Sequence, residues 1–126
     1  MTDMMTNVCA GRIEITHPEV KPVYVNSGDT LYLKCELDYP FQLQWHRDLF
    51  QDVGDGGRGY EEIDTSSENG FFVTAYIVDG RGTTELRKYN VSAADAGSYK
   101  CSRTNDPWTS YAVDVYVLQG NTPFTR

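Results

Sequence analysis

The run Asp95-Ala96-Gly97-Ser98-Tyr99-Lys100-Cys101 places an acid, a glycine, an aromatic ring and a thiol at alternate positions. Side chains two apart on a strand share one face, so Tyr99 and Cys101 read as the buried side of a strand. Gly97 lets the chain turn tightly into that strand, and Asp95 is placed to accept bonds from turn amides. Far upstream stand a second thiol, Cys35, and an indole, Trp45, separated by room for a turn and the start of a further strand.

This set resembles the centre of an immunoglobulin-type β-sandwich. The resemblance implies an all-β, two-sheet, I-set-like fold with one inter-sheet disulfide, Cys35–Cys101. It also implies that Trp45 packs on the disulfide and that the Tyr99 hydroxyl bonds backbone at the preceding bend. Asp95 and Gly97 complete the fold core. Closing a loop of that length stabilises a fold by about 4 kcal/mol in the chain-entropy model, less any native strain.

Length and composition agree. At 126 residues the chain is one domain with room for a two-layer core. Nine Tyr and frequent Val and Thr suit strands, while five Pro and eleven Gly suit many turns. No apolar run approaches the roughly 20 residues that cross a membrane. The opening residues 1–7 have neither the positive nor the apolar region of a signal peptide. A buried disulfide nevertheless implies an oxidising compartment, so the chain reads as an excised piece of a longer protein. We read residues 1–10 as an N-terminal extension or linker, 11–119 as the domain and 120–126 as a linker onward. A net charge of −7 and a pI near 4.6 argue against nucleic acid, polyanions or anionic lipid as partners. They suit a basic protein partner, although solubility is the plainer reading.

Nine short strands are expected. Segments 12–16 and 20–25 read as a first strand split around Pro18 and Pro22, which suit only an edge. In 30–36, Leu31, Leu33 and Cys35 alternate inward against Tyr32, Lys34 and Glu36. Phe41, Leu43 and Trp45 are expected inside the next strand, with Gln42, Gln44 and His46 outside. Segment 60–64 reads as a short edge strand. Segments 71–78 and 83–89 read as a hairpin about the turn 79–82. Segment 97–104 is the disulfide strand, 105–107 a turn, and 110–118 the last strand with Val113, Val115 and Val117 on one face. Lys88 falls where an aliphatic residue is expected. Either it snorkels at the core margin, or a bulge turns Tyr89 inward.

Chemistry is sparse. Residues 54–59 hold the spacing G-x-G-x-x-G, but a dinucleotide site needs a strand before it and a helix after it. The neighbouring Asp52, Asp55, Glu61, Glu62 and Asp64 do not have the spacing of a calcium loop and read as a solvated, Gly-rich segment over 51–59. His17 and His46 have no Cys or carboxylate at metal-ligand spacing, and no Ser, His and Asp set sits in a nucleophile elbow. No catalytic residue, metal or cofactor is expected. Cys9 is the odd cysteine, read as unpaired or as belonging to a linker. Asn90-Val91-Ser92 is an N-glycosylation sequon in a turn. The Cys-type sequon at Asn7 is discounted. Trp108, in the loop before the last strand, with Tyr111 and Asp106, forms the candidate partner-binding set. The competing reading folds Trp108 back onto the last strand or against a following domain.

A finer resemblance lies in residues 92–126. Asp-Ala-Gly-Ser-Tyr-Lys-Cys-Ser-Arg is followed by a short polar loop, then Val115-Tyr116-Val117, then Thr122-Pro123-Phe124. This is similar to the membrane-distal first Ig domain of the vascular endothelial and platelet-derived growth factor receptor tyrosine kinases. Ile13-Glu14-Ile15, the Pro-containing switch and Gly28-Asp29-Thr30-Leu31 fit the same pattern, while the long Gly-rich insert departs from it. The resemblance implies the extracellular part of a single-pass plasma-membrane receptor. Its ligand would be a dimeric cystine-knot growth factor held mainly by neighbouring domains, with this domain assisting or regulating. It carries over Cys35, Trp45, Asp95, Gly97, Tyr99 and Cys101, and no ligand contact. The alternative is an adhesion or recognition domain meeting another Ig domain through a sheet face furnished by Tyr32, Gln44, His46, Lys100 and Tyr111. A cytoplasmic muscle-type Ig domain is a third class, disfavoured by the disulfide and the sequon.

Overall fold

The computed structural model describes residues 12–48, 61–63, 70–104 and 106–119, with the side chains of Pro107 and Trp108 left aside. Cys9, Asn7, the glycine-spaced segment 54–59 with its acidic neighbours Asp52, Asp55 and Asp64, and the tail 120–126 lie outside the described residues, as does Asn105.

Nine strands are present among the described residues: β1 Ile13–His17, β2 Val23–Asn26, β3 Leu31–Leu37, β4 Leu43–Asp48, β5 Glu61–Glu62, β6 Phe71–Val78, β7 Arg81–Lys88, β8 Gly97–Arg103 and β9 Asp106–Leu118. They form a four-stranded sheet, β1-β3-β7-β6, packed on a five-stranded sheet, β2-β9-β8-β4-β5. The first strand is split as its prolines suggest. β1 pairs antiparallel with β3 in one sheet, and β2 pairs parallel with β9 in the other. Pro18 and Pro22 lie in the crossing segment, where a missing N–H costs no ladder bond.

The core follows the alternation of β3, where Leu31, Leu33, Cys35 and Leu37 are buried and the residues between them are only partly so. Leu43 and Trp45 from β4, Leu86 from β7, Tyr99 and Cys101 from β8 and Val113 and Val115 from β9 close over them. The Cys35–Cys101 disulfide ties β3 to β8, and thereby one sheet to the other. Trp45 stands directly across the ladder from Cys101, which sets the indole beside the bridge. A buried indole N–H needs an acceptor. Trp45 Nε1 donates to Thr84 Oγ1 at 3.1 Å, across the gap between the sheets, and the Thr84 hydroxyl donates onward to the Thr74 carbonyl at 2.8 Å.

A second tie spans the sheets where β7 gives way to β8. Asp95 is buried, and its carboxylate accepts from the Ser92 N–H at 2.8 Å and from Lys88 Nζ at 3.1 Å. The Arg47 guanidinium, from β4, lies 3.8 Å from the same carboxylate and donates to the Ala94 carbonyl and the Tyr99 hydroxyl. Tyr99 in turn donates to the Asp95 carbonyl at 2.5 Å. Burial pushes the Tyr99 phenol up to about 12, so it remains a donor at any physiological pH. Lys88 is therefore the snorkelling residue of the two alternatives: its ammonium lies 5.8 Å from the Phe71 ring centroid and reaches Asp95, while Tyr89 is exposed. Gly97 is required by proximity, because a Cβ there would meet the Asp48 carbonyl oxygen at 2.8 Å.

Two expectations change. Phe41 precedes β4 rather than lying in it, and its ring is 39% exposed beneath the Arg103 guanidinium, 3.8 Å from the ring centroid. Pro40 and the Phe41 N–H bond to the Tyr39 carbonyl hold that stretch in a bend. Asp106 and Trp108 lie in β9, not in a turn and loop before it. The β8–β9 register jumps from Ser102↔Ser110 to Arg103↔Asp106, so residues 107–109 are extra on the β9 side. Pro107, without an N–H, sits in that irregularity, as prolines within sheets do.

Breaking a buried ion pair by removing one partner costs about 3–5 kcal/mol, because the other charge is left uncompensated. Asp95→Ala strands Lys88 and Arg47 and removes the acceptor of the Ser92 amide. Urea denaturation is expected to show a loss of about 3 kcal/mol or more for Asp95→Ala. Lys88→Met is expected to cost clearly less, since Asp95 keeps Arg47 and Ser92. Equal losses in the two variants would mean that the carboxylate is not the organising group.

Candidate functional site

The outer face of the five-stranded sheet carries an exposed aromatic pair and charges of both signs. It begins with two matching triplets. Val23-Tyr24-Val25 in β2 runs parallel to Val115-Tyr116-Val117 in β9, each residue opposite its counterpart. The valines face the core and the tyrosines face outward. Tyr24 and Tyr116 stack with centroids 5.5 Å apart, and Tyr24 is 61% exposed. Towards the middle of the sheet the floor drops to small polar residues. Ser98 and Ser102 are buried although they point to this face, being flanked in register by Asp48 and Asp114 and by Gln44 and Ser110.

His46 marks the other half of the face. It lies opposite Lys100 on β8 and Glu62 on β5. Its Nδ1 is buried with no hydrogen-bond partner among the described residues. Burial lowers its pKa below the ordinary 6.5 and the Lys100 charge lowers it further, while Glu62 pulls the other way. The imidazole is therefore neutral at pH 7, between a cation and an anion. The face as a whole offers stacked aromatics, a shallow polar floor and charges of both signs. Among the described residues no group of three or more His, Cys, Asp or Glu is placed to hold a metal ion.

The outer face of the four-stranded sheet is aromatic too, and part of it is engaged by its own pairs. The Tyr76 hydroxyl donates to Glu85 at 2.7 Å, Arg87 bonds the same carboxylate at 3.1 Å, and the Arg87 guanidinium covers the Tyr32 ring. The bond from Tyr76 holds Glu85 below the usual carboxylate range and raises the Tyr76 phenol. Glu36 pairs with Lys34 and Arg81.

These placements rearrange the residues singled out from sequence. Gln44, His46 and Lys100 share the five-stranded face, but Tyr32 belongs to the opposite sheet. Tyr111 packs against the core, with Lys21 Nζ 5.7 Å above its ring. The five therefore do not make one surface. Asp106 accepts from Thr109 at 2.9 Å and lies 3.6 Å from Arg103, which keeps it within its own hairpin. The side chain of Trp108 lies outside what is described. Asn90 is exposed at the end of β7 with a positive φ of 55°, a conformation asparagine tolerates better than most residues. Tyr24 and Tyr116 were missed. Their signal was the repeated Val-Tyr-Val, meaningful only once β2 is known to lie parallel to β9.

The depressed His46 pKa carries a pH dependence. Between its folded value and 6.5 the unfolded chain binds the proton and the folded chain does not. Stability thus falls as pH drops below about 6.5, and is intact above it. Thermal unfolding at pH 7.5 and pH 5 is expected to show a smaller acid-induced fall in Tm for His46→Gln than for the wild type. An unchanged fall would place the acid sensitivity elsewhere.

No family model matches the chain. A chain from the crystal structure of Dpr2 Ig1-Ig2 in complex with DIP-Theta Ig1-Ig3 is similar, with a TM-score of 0.61 at 19% identity, over 86% of this chain and 50% of that one. The BTLA ectodomain matches with a TM-score of 0.56 at 14% identity, over 86% of this chain and 99% of that one. The first Ig domain of the mouse polymeric immunoglobulin receptor matches with a TM-score of 0.53 at 19% identity, over 86% of this chain and 95% of that one. This chain thus spans half the length of the Dpr2–DIP-Theta chain it matches. At these identities the likeness is one of fold, and with the two sheets, the inter-sheet disulfide and the buried Trp45 it establishes an immunoglobulin-fold domain.

Proposed function

We propose that this chain is a non-catalytic protein-recognition module from the extracellular part of a cell-surface receptor, and that it meets its partner with the outer face of the five-stranded sheet. The observation that carries this reading is the exposed Tyr24–Tyr116 stack beside a shallow polar floor and the Glu62–His46–Lys100 row. Exposed tyrosines supply rigid contact area at low entropic cost, and opposite charges around them set register and exclude wrong partners. The disulfide suits an oxidising compartment. A glycan on Asn90 fits the same location.

Within this class the growth-factor-receptor reading rests on the resemblance of residues 92–126. There the ligand is a dimeric cystine-knot protein held mainly by neighbouring domains, and the present domain assists or regulates. The second reading is recognition of another Ig domain. It is favoured by the fold likeness to a structure in which the Ig domains of Dpr2 and DIP-Theta are in complex.

Biolayer interferometry with the immobilised chain tests both. The panel is a set of dimeric cystine-knot growth factors and a set of extracellular Ig domains. Tyr116→Ala is expected to weaken the true partner about tenfold or more, the loss of a central aromatic anchor. Lys100→Glu is expected to slow association more than it speeds dissociation. A growth factor among the binders favours the receptor reading and an Ig domain favours the recognition reading. Binding that neither variant alters would remove the five-stranded face from the proposal.

A further inference from the structure

One exposed turn brings an aromatic pair beside an acceptor sequence for sugar. Tyr89 and Asn90 follow the end of β7, and both are exposed. The Phe72 ring, from β6, lies against the Tyr89 ring with centroids 5.5 Å apart and planes tilted by 59°. Phe72 is 45% exposed and Tyr89 52%. Apolar residues scattered singly over a surface need no explanation, whereas adjoining ones point to something that covers them. The neighbouring rings of this face are engaged, Tyr76 by Glu85 and Tyr32 by the Arg87 guanidinium.

Asn90 begins the triplet Asn90-Val91-Ser92, an acceptor for N-linked oligosaccharide. The fold displays this triplet. Val91 is buried, its N–H donates to the Asp29 carbonyl at 3.0 Å, and its carbonyl accepts from the Gly28 N–H at 2.8 Å. The middle residue is thereby anchored. The two residues that define an acceptor, Asn90 and Ser92, stand exposed on either side of it.

We propose that Asn90 carries an N-linked glycan and that its innermost N-acetylglucosamine packs on the Phe72–Tyr89 ring pair. Covalent attachment selects the occupant, because a sugar on Asn90 is joined to the residue next to Tyr89. The apolar side of a pyranose ring presents C–H bonds, whose hydrogens are slightly positive. Aromatic faces are negative, so the two attract while the hydroxyl rim of the sugar stays in water. In the transfer, the side-chain nitrogen of Asn90 forms a bond to C1 of the first sugar. The bond from C1 to the pyrophosphate of a lipid-linked oligosaccharide breaks, the lipid pyrophosphate leaves, and the amide gives up one proton. The secretory pathway supplies that donor and its transferase. The inference rests on the extracellular reading for that compartment alone, and it uses no residue of the five-stranded face.

Secretion of the full chain from mammalian cells, behind an added leader peptide, tests it. Because the leader supplies the compartment, a missing glycan counts against the site and not against the extracellular reading. Intact mass is expected to show an added oligosaccharide, which peptide mapping places on Asn90. Ser92→Ala is expected to abolish it, and Ser92→Thr to keep it. Both substitutions retain the backbone bonds between Ser92 and Asp95, which use only the N–H and carbonyl of Ser92. The packing is read from stability. Wild type trimmed by endoglycosidase to a single N-acetylglucosamine is expected to melt about 3 °C above the same chain made without glycan in a bacterial periplasm. In Phe72→Ser and in Tyr89→Ser that gain is expected to vanish. Each variant is compared with its own unglycosylated form, so any loss of intrinsic stability cancels. An unmodified Asn90 in the secreted wild type overturns the inference. A single sugar that gives no gain, or a gain that survives both ring substitutions, overturns it as well.

Discussion

The carboxylate of Asp95 is the constraint on which the rest of this domain depends. It is buried, and a buried charge is tolerated only when it is paired and hydrogen-bonded. Its partners come from different parts of the chain: Lys88 from the four-stranded sheet, Arg47 from the five-stranded sheet, and the Ser92 amide from the turn between β7 and β8. Satisfying one group therefore fixes the relative position of both sheets at that end. The Asp95 carbonyl accepts from Tyr99, which orients β8. Two residues on, Cys101 faces Cys35, and across the ladder Trp45 reaches Thr84. The ionic tie and the covalent tie are thus consecutive steps along one strand.

That arrangement explains why so much of the fold was legible. Asp95, Gly97, Tyr99 and Cys101 are local in sequence, and each has a physical task that few residue types perform. The same is true of the alternation in β3 and of the proline break between β1 and β2. Where the reading went astray, the deciding interaction was not local. Phe41 has the right phase for the core, but the Tyr39–Pro40 bend and the Arg103 guanidinium take its ring to the surface. Trp108 was assigned to a loop because Pro107 reads as a breaker, whereas β9 absorbs the proline in a register irregularity. Lys88 was flagged as out of place, and the sequence alone offered no means of choosing between its two explanations.

The candidate site was less legible than the fold, for a reason of geometry. A surface is defined by which strands are neighbours, and neighbours here are distant in sequence. Tyr32, Gln44, His46 and Lys100 look outward by alternation, yet Tyr32 lies in the other sheet, and Tyr111, in phase with Val113, Val115 and Val117, turns to the core. Conversely, Tyr24 and Tyr116 are separated by most of the chain and stack because β2 crosses to run beside β9. The crossing follows from the proline-containing switch, so the residue that splits the first strand is also responsible for the aromatic end of the face.

The two sheets end up with different capacities. On the five-stranded side the edges are blunted, and Tyr24 and Tyr116 stack on each other at the surface. On the four-stranded side Glu85, Arg87, Glu36 and Arg81 engage part of the face, and among the described residues β6 is an edge without charge. An open face suits recognition only if its own edges cannot pair, since edge growth would compete with a facial partner for the same sheet. The short, charged and proline-flanked strands β2 and β5 meet that condition.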